Sequence, residues 1–296
     1  MKNANSGIAL LIDGDMALYQ ACSNAEQEIN WGVHWTLHSD PEEAYAIFKN
    51  AIEKLCLEVN SRLKLEEVPR IYLAFTDSVN WRKDVLETYK SNRVEKRKPL
   101  CYYVVRDRVF AEWECLMVPT LEGDDVLGIW ATSSHIKGRK IIVSGDKDFK
   151  TIPGEFWDYG RKKFYNISEE EANYWHFYQT LMGDITDGYT GCPGMGAGTA
   201  EEFLKAPFMW FQEEKILKSG PRKGEAVLHW KKRELTEEET LWDAVVSCFH
   251  KAGKTPEEAL VQAQVARICR SSEWDFKARK VIPWKPARSA SSFSPP

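Results

Sequence analysis

The sequence has no long apolar run. Its longest aliphatic stretch near the start, Ile8 to Ile12, is five residues. A secretory core needs roughly 7–15 apolar residues and a membrane helix about 20. The pattern points to a soluble, cytoplasmic protein with no membrane partner. Cysteine is sparse: seven residues, at 22, 56, 101, 115, 192, 248 and 269, with no CxxC pair. This argues against a disulfide framework and a thiolate zinc site. The six histidines (34, 38, 135, 176, 229 and 250) fit no catalytic triad. An excess of positive charge is also missing. Forty basic residues stand against 44 acidic ones, a net −4, and that sum taken alone argues against a nucleic-acid partner.

What is present is a chain of 296 residues, 43% hydrophobic, enough for one large domain or two modest ones. Ile8–Ile12, Ile71–Phe75 and Lys140–Val143 read as buried strands, and Cys115–Val118 as a short one. Helical spacing is read at 15–26, 41–62, 101–113 and 123–135. Asp40–Pro41 supplies a cap and a first-turn proline for the second of these. The repetition predicts an α/β fold with a mostly parallel sheet and helices on both faces. After about residue 168 the strand signal fades. Helices are expected at 168–182, after the glycines at 191–198, and at 236–250 and 255–270, with a polar, basic stretch at 212–234. The expected organisation is an α/β core at 1–180 carrying a basic arch at about 78–100, a helical region at 181–284 and a flexible tail at 285–296.

Five segments place carboxylates at a strand end or in the turn that follows. They hold Asp13 and Asp15; Asp77; Glu122, Asp124 and Asp125; Asp146 and Asp148; and Asp184 and Asp187. Any one of them alone reads as a helix cap or turn residue, and Asp15 is well placed to cap the first helix. Together, at the carboxyl edge of one sheet, ten carboxylates would repel each other unless protons or cations neutralise them. Hard oxygen donors suit Mg²⁺ or Mn²⁺. Setting those ten aside turns the net −4 into +6, so the remainder can face a polyanion.

Trp81 to Lys98 carries seven basic residues, Arg82, Lys83, Lys90, Arg93, Lys96, Arg97 and Lys98, against three acidic ones. It reads either as a solvated helix face or as an element gripping phosphates. Trp81 is better placed to anchor the segment in the core than to stack a base. Gly191, Gly194, Gly196 and Gly198 precede Thr199 and a helix. Glycine lets backbone N–H groups approach a phosphate closely. With Met195 as an apolar peg, this segment resembles a helix–hairpin–helix, which holds duplex DNA by its backbone; a helix cap followed by a plain turn is the alternative.

Taken with Ala74–Lys83, Leu121–Val126, Asp146–Pro153 and Gly183–Tyr189, these motifs resemble the 5′-nuclease superfamily, and within it the T7-like phage exonucleases, from about residue 8 to 284. The resemblance implies a PIN-like 5′-nuclease core. It implies two Mg²⁺ ions, replaceable by Mn²⁺, held by Asp13, Asp77, Glu122, Asp124 and Asp125 on one side and Asp146, Asp148, Asp184 and Asp187 on the other. Lys90 and Arg93 match its phosphate contacts, and Tyr19 its base-stacking aromatic. The glycine hairpin matches a DNA-binding element that also takes a monovalent cation. The implied activity is 5′→3′ exonuclease action on duplex DNA, with flap cleavage and removal of RNA from RNA–DNA hybrids, in phage replication, recombination and host-DNA breakdown in the host cytoplasm. Asp15 departs from the small or hydroxyl residue common there.

Two other classes fit part of the sequence. Asp13–Gly–Asp15 after a strand also suits a haloacid-dehalogenase-type phosphatase, which has no use for the Glu122 cluster or the arch. A non-catalytic DNA-structure-binding protein would leave the acidic cluster without a purpose.

Overall fold

A computed structural model of the chain describes residues 7–92 and 97–286. Among these, 7–81, 97–168 and 268–282 form one compact unit, and 82–92, 169–267 and 283–286 form another. The division is interleaved along the chain. It does not run from an N-terminal core to a C-terminal region with one break near residue 180. The expected basic arch falls partly on residues 93–96, and the expected tail almost wholly on 287–296; both stretches lie outside the described residues.

The first unit is built on six strands in the order Cys115–Met117, Arg70–Phe75, Ile8–Asp13, Arg139–Ser144, Gly154–Asp158 and Lys163–Ile167. The first five are parallel and the sixth turns back antiparallel. All of Ile8–Ile12 is buried. Successive side chains of a strand point to opposite faces, so both faces of this strand are covered, as an unbroken apolar run in a parallel sheet requires. Helices Gly14–Asn24, Pro41–Leu63, Tyr102–Glu112 and Gly123–Thr132 complete the unit. Pro41–Leu63 begins as its sequence dictates. The Asp40 carboxylate accepts the Glu42 N–H, proline occupies the first turn, and Ala44, Phe48, Ile52 and Val59 face the core. Because the strands are parallel, Asp13, Thr76–Asp77 and Gly145–Asp146 all leave the sheet at its carboxyl edge.

Helix Gly123–Thr132 lies very close to the returning segment 268–269. A Cβ on Gly128 would come within 2.4 Å of the Cys269 carbonyl oxygen and 3.0 Å of Ile268. Gly128→Ala is therefore expected to destabilise the protein by roughly 1–3 kcal/mol, read as a lower urea midpoint with an unchanged slope.

The second unit packs helices Glu169–Met182, Ala197–Lys205, Leu241–Lys251 and Pro256–Ala266 around Leu181, Phe203, Leu204, Val245 and Phe249. Thr240 with Asp243 and Thr255 with Glu258 form reciprocal caps on the last two helices. The region is not wholly helical. Met209–Ile216 and Ala226–Arg233 pair antiparallel over eight residues, in the stretch read as polar and basic. Its strands are largely exposed, so the burial-driven alternation that marks a strand is weak there. The hairpin Glu26–Asn30 with Trp35–Ser39 was unannounced for the same reason; the last two strands of the sheet were also unannounced, although Phe156 and Trp157 of the first of them are buried.

Candidate active site

At the carboxyl edge of the sheet, the roles of the first two aspartates are the reverse of those expected. Asp13 caps the helix, its Oδ1 accepting from the Met16 N–H at 3.3 Å. Asp15 instead reaches across, its Oδ2 accepting from the Thr76 N–H at 2.8 Å. Thr76 Oγ1 in turn accepts from the Gly123 N–H at 2.9 Å. Thr76, which the sequence reading passed over, thus ties the first helix to the helix that begins after Glu122. Burial pushes the Asp13 carboxyl up to about 6, with the Asp15 charge and then the Asp146 charge adding to it. Burial likewise raises Asp15, and Glu122 adds to that. Asp13 thus faces Asp15 and Asp146 as like charges, and Asp15 faces Glu122. Tyr159 is a further neighbour absent from the sequence reading. Burial raises its phenol, as do Asp13 and Asp146, and its ring packs on Gly145, where a Cβ would come within 3.0 Å.

Two acidic residues of this unit are engaged locally. Asp77 Oδ2 accepts from the Thr120 N–H at 2.8 Å, and that bond, followed by those from Ser78 and Val79, holds its carboxyl below the usual range despite burial. Asp125 is fully buried. It accepts from Trp81 Nε1 at 2.9 Å, the Cys269 N–H at 3.0 Å and the Glu122 N–H at 3.4 Å. Its placement corrects the metal-ligand expectation: both oxygens are committed to joining three chain segments. Trp81 is buried, as its anchoring role required. Asp125→Asn is expected to cost about 1–3 kcal/mol of stability, because an amide nitrogen replaces an acceptor facing buried donors; thermal melts would read the loss. Asp124 lies in the first turn of the helix. Asp146 caps the short turn at Lys147–Thr151 by accepting from the Asp148 N–H at 2.9 Å.

Among the described residues, no three His, Cys, Asp or Glu side chains close around a point that would hold a metal ion. The donor chemistry of Asp13, Asp15, Glu122 and Asp146 nonetheless fits a hard divalent cation, and their mutual repulsion is what such an ion relieves. Beside them, Lys98 Nζ lies 4.5 Å from the Tyr102 ring centre and 5.8 Å from that of Tyr19. Tyr19 is 38% exposed, so its ring is reachable. Arg97 is not free for a phosphate, since its two terminal nitrogens donate to Glu26 at 2.7 and 2.9 Å.

In the second unit, Asp184 Oδ1 accepts from the Thr186 N–H at 2.7 Å. Asp187 Oδ2 accepts from the Tyr89 hydroxyl at 3.0 Å and lies 3.5 Å from Lys90 Nζ. Lys90 has φ +54° and its N–H donates to the Asp187 carbonyl at 2.8 Å. Gly188 makes this approach possible: at φ +79°, a Cβ there would meet the Thr88 carbonyl oxygen at 3.0 Å and the Lys90 nitrogen at 3.2 Å. Lys90 and Asp187 are thus brought together, while Arg93 and Lys96 lie outside the described residues. Arg82 is a correction. It is buried, and its guanidinium donates to the carbonyls of Val265 and Arg267 at 3.0 and 2.6 Å. It finishes the end of helix Pro256–Ala266 and is unavailable to DNA. Lys83 is exposed. Gly191 is the other correction, because its N–H donates to Gln262 Oε1 at 2.8 Å and a Cβ there would strike Gly183. Gly194, Gly196, Gly198 and Thr199 are exposed at the start of the following helix.

Residues 9–171 match the family described as 5′–3′ exonuclease, N-terminal resolvase-like domain. Over 284 residues the chain is 41% identical to the exonuclease of Escherichia phage T7, spanning 94% of this chain and 93% of that protein. The chain belongs to the 5′–3′ exonuclease family. The exodeoxyribonuclease of Enterobacteria phage T3 is 40% identical over 94% of this chain and 92% of its own length. Flap endonuclease Xni of Shewanella halifaxensis is 31% identical over 44% of this chain and 56% of its own. Among solved structures, the T5 D15 protein co-crystallised with metal ions overlays 67% of this chain and 74% of its own, at 14% identity and a TM-score of 0.48. As a member of the exonuclease family the chain is a nuclease, a hydrolase of phosphodiester bonds. Membership selects this over the phosphatase. No helix among the described residues is long and apolar enough to cross a membrane.

Proposed function

We propose that this exonuclease removes nucleotides from the 5′ ends of duplex DNA using two Mg²⁺ ions, for which Mn²⁺ substitutes. The observation that carries the metal dependence is the carboxylate group at the sheet edge, where Asp15 and Asp146 help push Asp13 up to about 6. Asp13, Asp15, Glu122, Asp124, Asp146 and Asp148 are the ligands we assign in the first unit. Asp184 and Asp187 are those in the second. Asp77 stands at the same edge, and its bond to Thr120 makes it the weakest of the assigned donors. When bound, the ions supply Lewis acidity and charge neutralisation at the scissile phosphate.

The chain's own residues do the rest. Lys90 offers its ammonium to the phosphate, exchanging the Asp187 carboxylate for it, and so stabilises charge that grows in the transition state. Arg93 is assigned the same role on the family pattern. Tyr19 stacks the terminal base, a contact worth about 1–3 kcal/mol. Lys83, Lys98 and the amides from Gly194 to Thr199 hold the backbone, without reading sequence, and a monovalent cation at that hairpin fits the same proposal. Flap cleavage, removal of RNA from hybrids, action in the host cytoplasm, and work in phage replication, recombination and host-DNA breakdown complete it. A linear duplex labelled at one 5′ end tests the core claim. Early release of labelled mono- or short oligonucleotides with Mg²⁺, abolished by EDTA, is expected. Release that persists in EDTA would refute metal dependence.

A further inference from the structure

The hairpin at 209–233 carries a feature that the nuclease chemistry does not use. Between it and helix Leu241–Lys251 lies a cavity of about 560 Å³, lined by Met195, Phe203, Phe208, Trp210, Lys232 and Lys251 among others. Its floor is aromatic and its charge is concentrated on one ring. Lys251 Nζ lies 3.3 Å from the centre of the Trp210 ring, and Lys232 Nζ lies 5.0 Å from the same ring and 4.1 Å from that of Phe208. The backbone under this ring is held to the helix, because the Trp210 main-chain N–H donates to Ser247 Oγ at 3.0 Å.

The cations around this cavity are otherwise neutralised. Lys231 pairs with Glu213, Arg233 with Glu239, and Lys254 with Glu258. Among the described residues, no carboxylate forms an ion pair with Lys232 or Lys251. Glu202 also lines the cavity, and one carboxylate leaves the pair net positive. Two ammonium groups drawn to one indole repel each other, and an anion between them removes that cost. Gly194 and Thr199 reach the rim, at the start of a helix whose cap, Gly196, has no side-chain bond. A second cavity, of about 530 Å³ and lined by Trp230, His250, Lys251 and Lys254, shares Lys251 with the first. Lys251 thus faces both cavities, while Lys254 in the second is paired with Glu258.

We propose that the Trp210 cavity is a phosphate subsite for the DNA backbone, with Lys232 and Lys251 as its cationic contacts and the Trp210 ring holding both in place. Compact ammonium groups suit a phosphodiester oxygen, and backbone contacts of this kind add affinity without sequence preference. The proposal rests on the nuclease reading.

The test compares wild type, Lys232→Ala/Lys251→Ala and Lys232→Arg/Lys251→Arg for binding of a labelled duplex in Ca²⁺ over a series of salt concentrations. The alanine pair should lower the slope of log affinity against log salt by about 2, and the arginine pair should keep it. Unchanged melting of both variants shows that the fold is intact. A slope equal to wild type in the alanine pair overturns the proposal. So does an alanine pair that loses affinity for inorganic phosphate while its DNA slope stays the same, which would make the cavity a site for free anions. If wild type fails to cleave in Mg²⁺ but the slope difference persists, the nuclease reading fails and the subsite stands.

Discussion

Asp13→Asn should abolish cleavage and, at neutral pH, stabilise the protein in the absence of metal. The two effects have one cause. In the folded chain the Asp13 carboxyl titrates near 6 and not near 3.8, because it is buried and faces Asp15 and Asp146. A pKa raised on folding means that the folded state prefers the protonated form. The stability linked to Asp13 is fully present below about pH 4, declines as pH rises, and is gone above about 6. At neutral pH the ionised group opposes folding, and an amide removes that opposition. The gain is roughly 1–3 kcal/mol, which raises Tm by several degrees. Mg²⁺ should supply the same relief to the wild type by binding the folded state alone, and the Asp13→Asn protein should gain less from it. Cleavage at saturating Mg²⁺ is expected to fall by about a thousand-fold or more, the upper range for loss of a group that organises transition-state charge. Melts with and without Mg²⁺, beside a 5′-label release assay, check all of this. A variant that melts lower than wild type without metal would show that Asp13 is chiefly a structural cap.

The second large effect is expected at Lys90. Lys90→Ala should lower the rate of the chemical step by about 10²–10³-fold and change duplex affinity by only a few-fold. Without DNA, the ammonium is held 3.5 Å from Asp187 and 5.0 Å from the Tyr89 ring centre, while its backbone is fixed by the bond to the Asp187 carbonyl. It is therefore oriented before substrate arrives, and orientation in advance is what favours the transition state over simple binding. Single-turnover cleavage separates the step from product release. Equal losses in rate and affinity would make Lys90 a general phosphate contact. Lys90→Arg should recover affinity more fully than rate, since a planar guanidinium does not reproduce a compact ammonium.

Much of this arrangement was legible in the sequence, for identifiable reasons. Buried parallel strands have a strong signature, and Ile8–Ile12 showed it without ambiguity. Asp40–Pro41 announced its helix through chemistry local to four residues. Asp13, Asp77 and Asp146 could be placed at the sheet edge because each follows an apolar strand, whereas Asp184 and Asp187 follow helix Glu169–Met182 in the second unit and not a strand end. What sequence could not assign was the partner of each polar group. Asp13 and Asp15 are two residues apart and both able to cap a helix; which one does so depends on Thr76, sixty residues away. Arg82 lies in a basic run, yet its acceptors are Val265 and Arg267, and nothing within the run signals that burial. Asp125 and Gly191 were misassigned for the same reason, since their partners, Cys269 and Gln262, come from distant segments. The hairpin at 209–233 was missed because its strands are mostly exposed and owe their form to backbone pairing.

The bond from the Cys269 N–H to Asp125 has a consequence for how the first unit closes. Asp125 lies in the first turn of the helix that follows Glu122 and carries Asp124. Its partner comes from a segment 144 residues further along the chain. The first unit includes 268–282, so its acidic edge is finished only when a segment far along the chain returns to it. A fragment that stops before residue 268 holds the carboxylates at 13, 122, 124, 146 and 148 but lacks the donor that ties Asp125 to the returning segment. Loss of residues 268–282 is therefore expected to loosen the helix that carries Asp124 and Asp125, read as a lower melting temperature of the first unit.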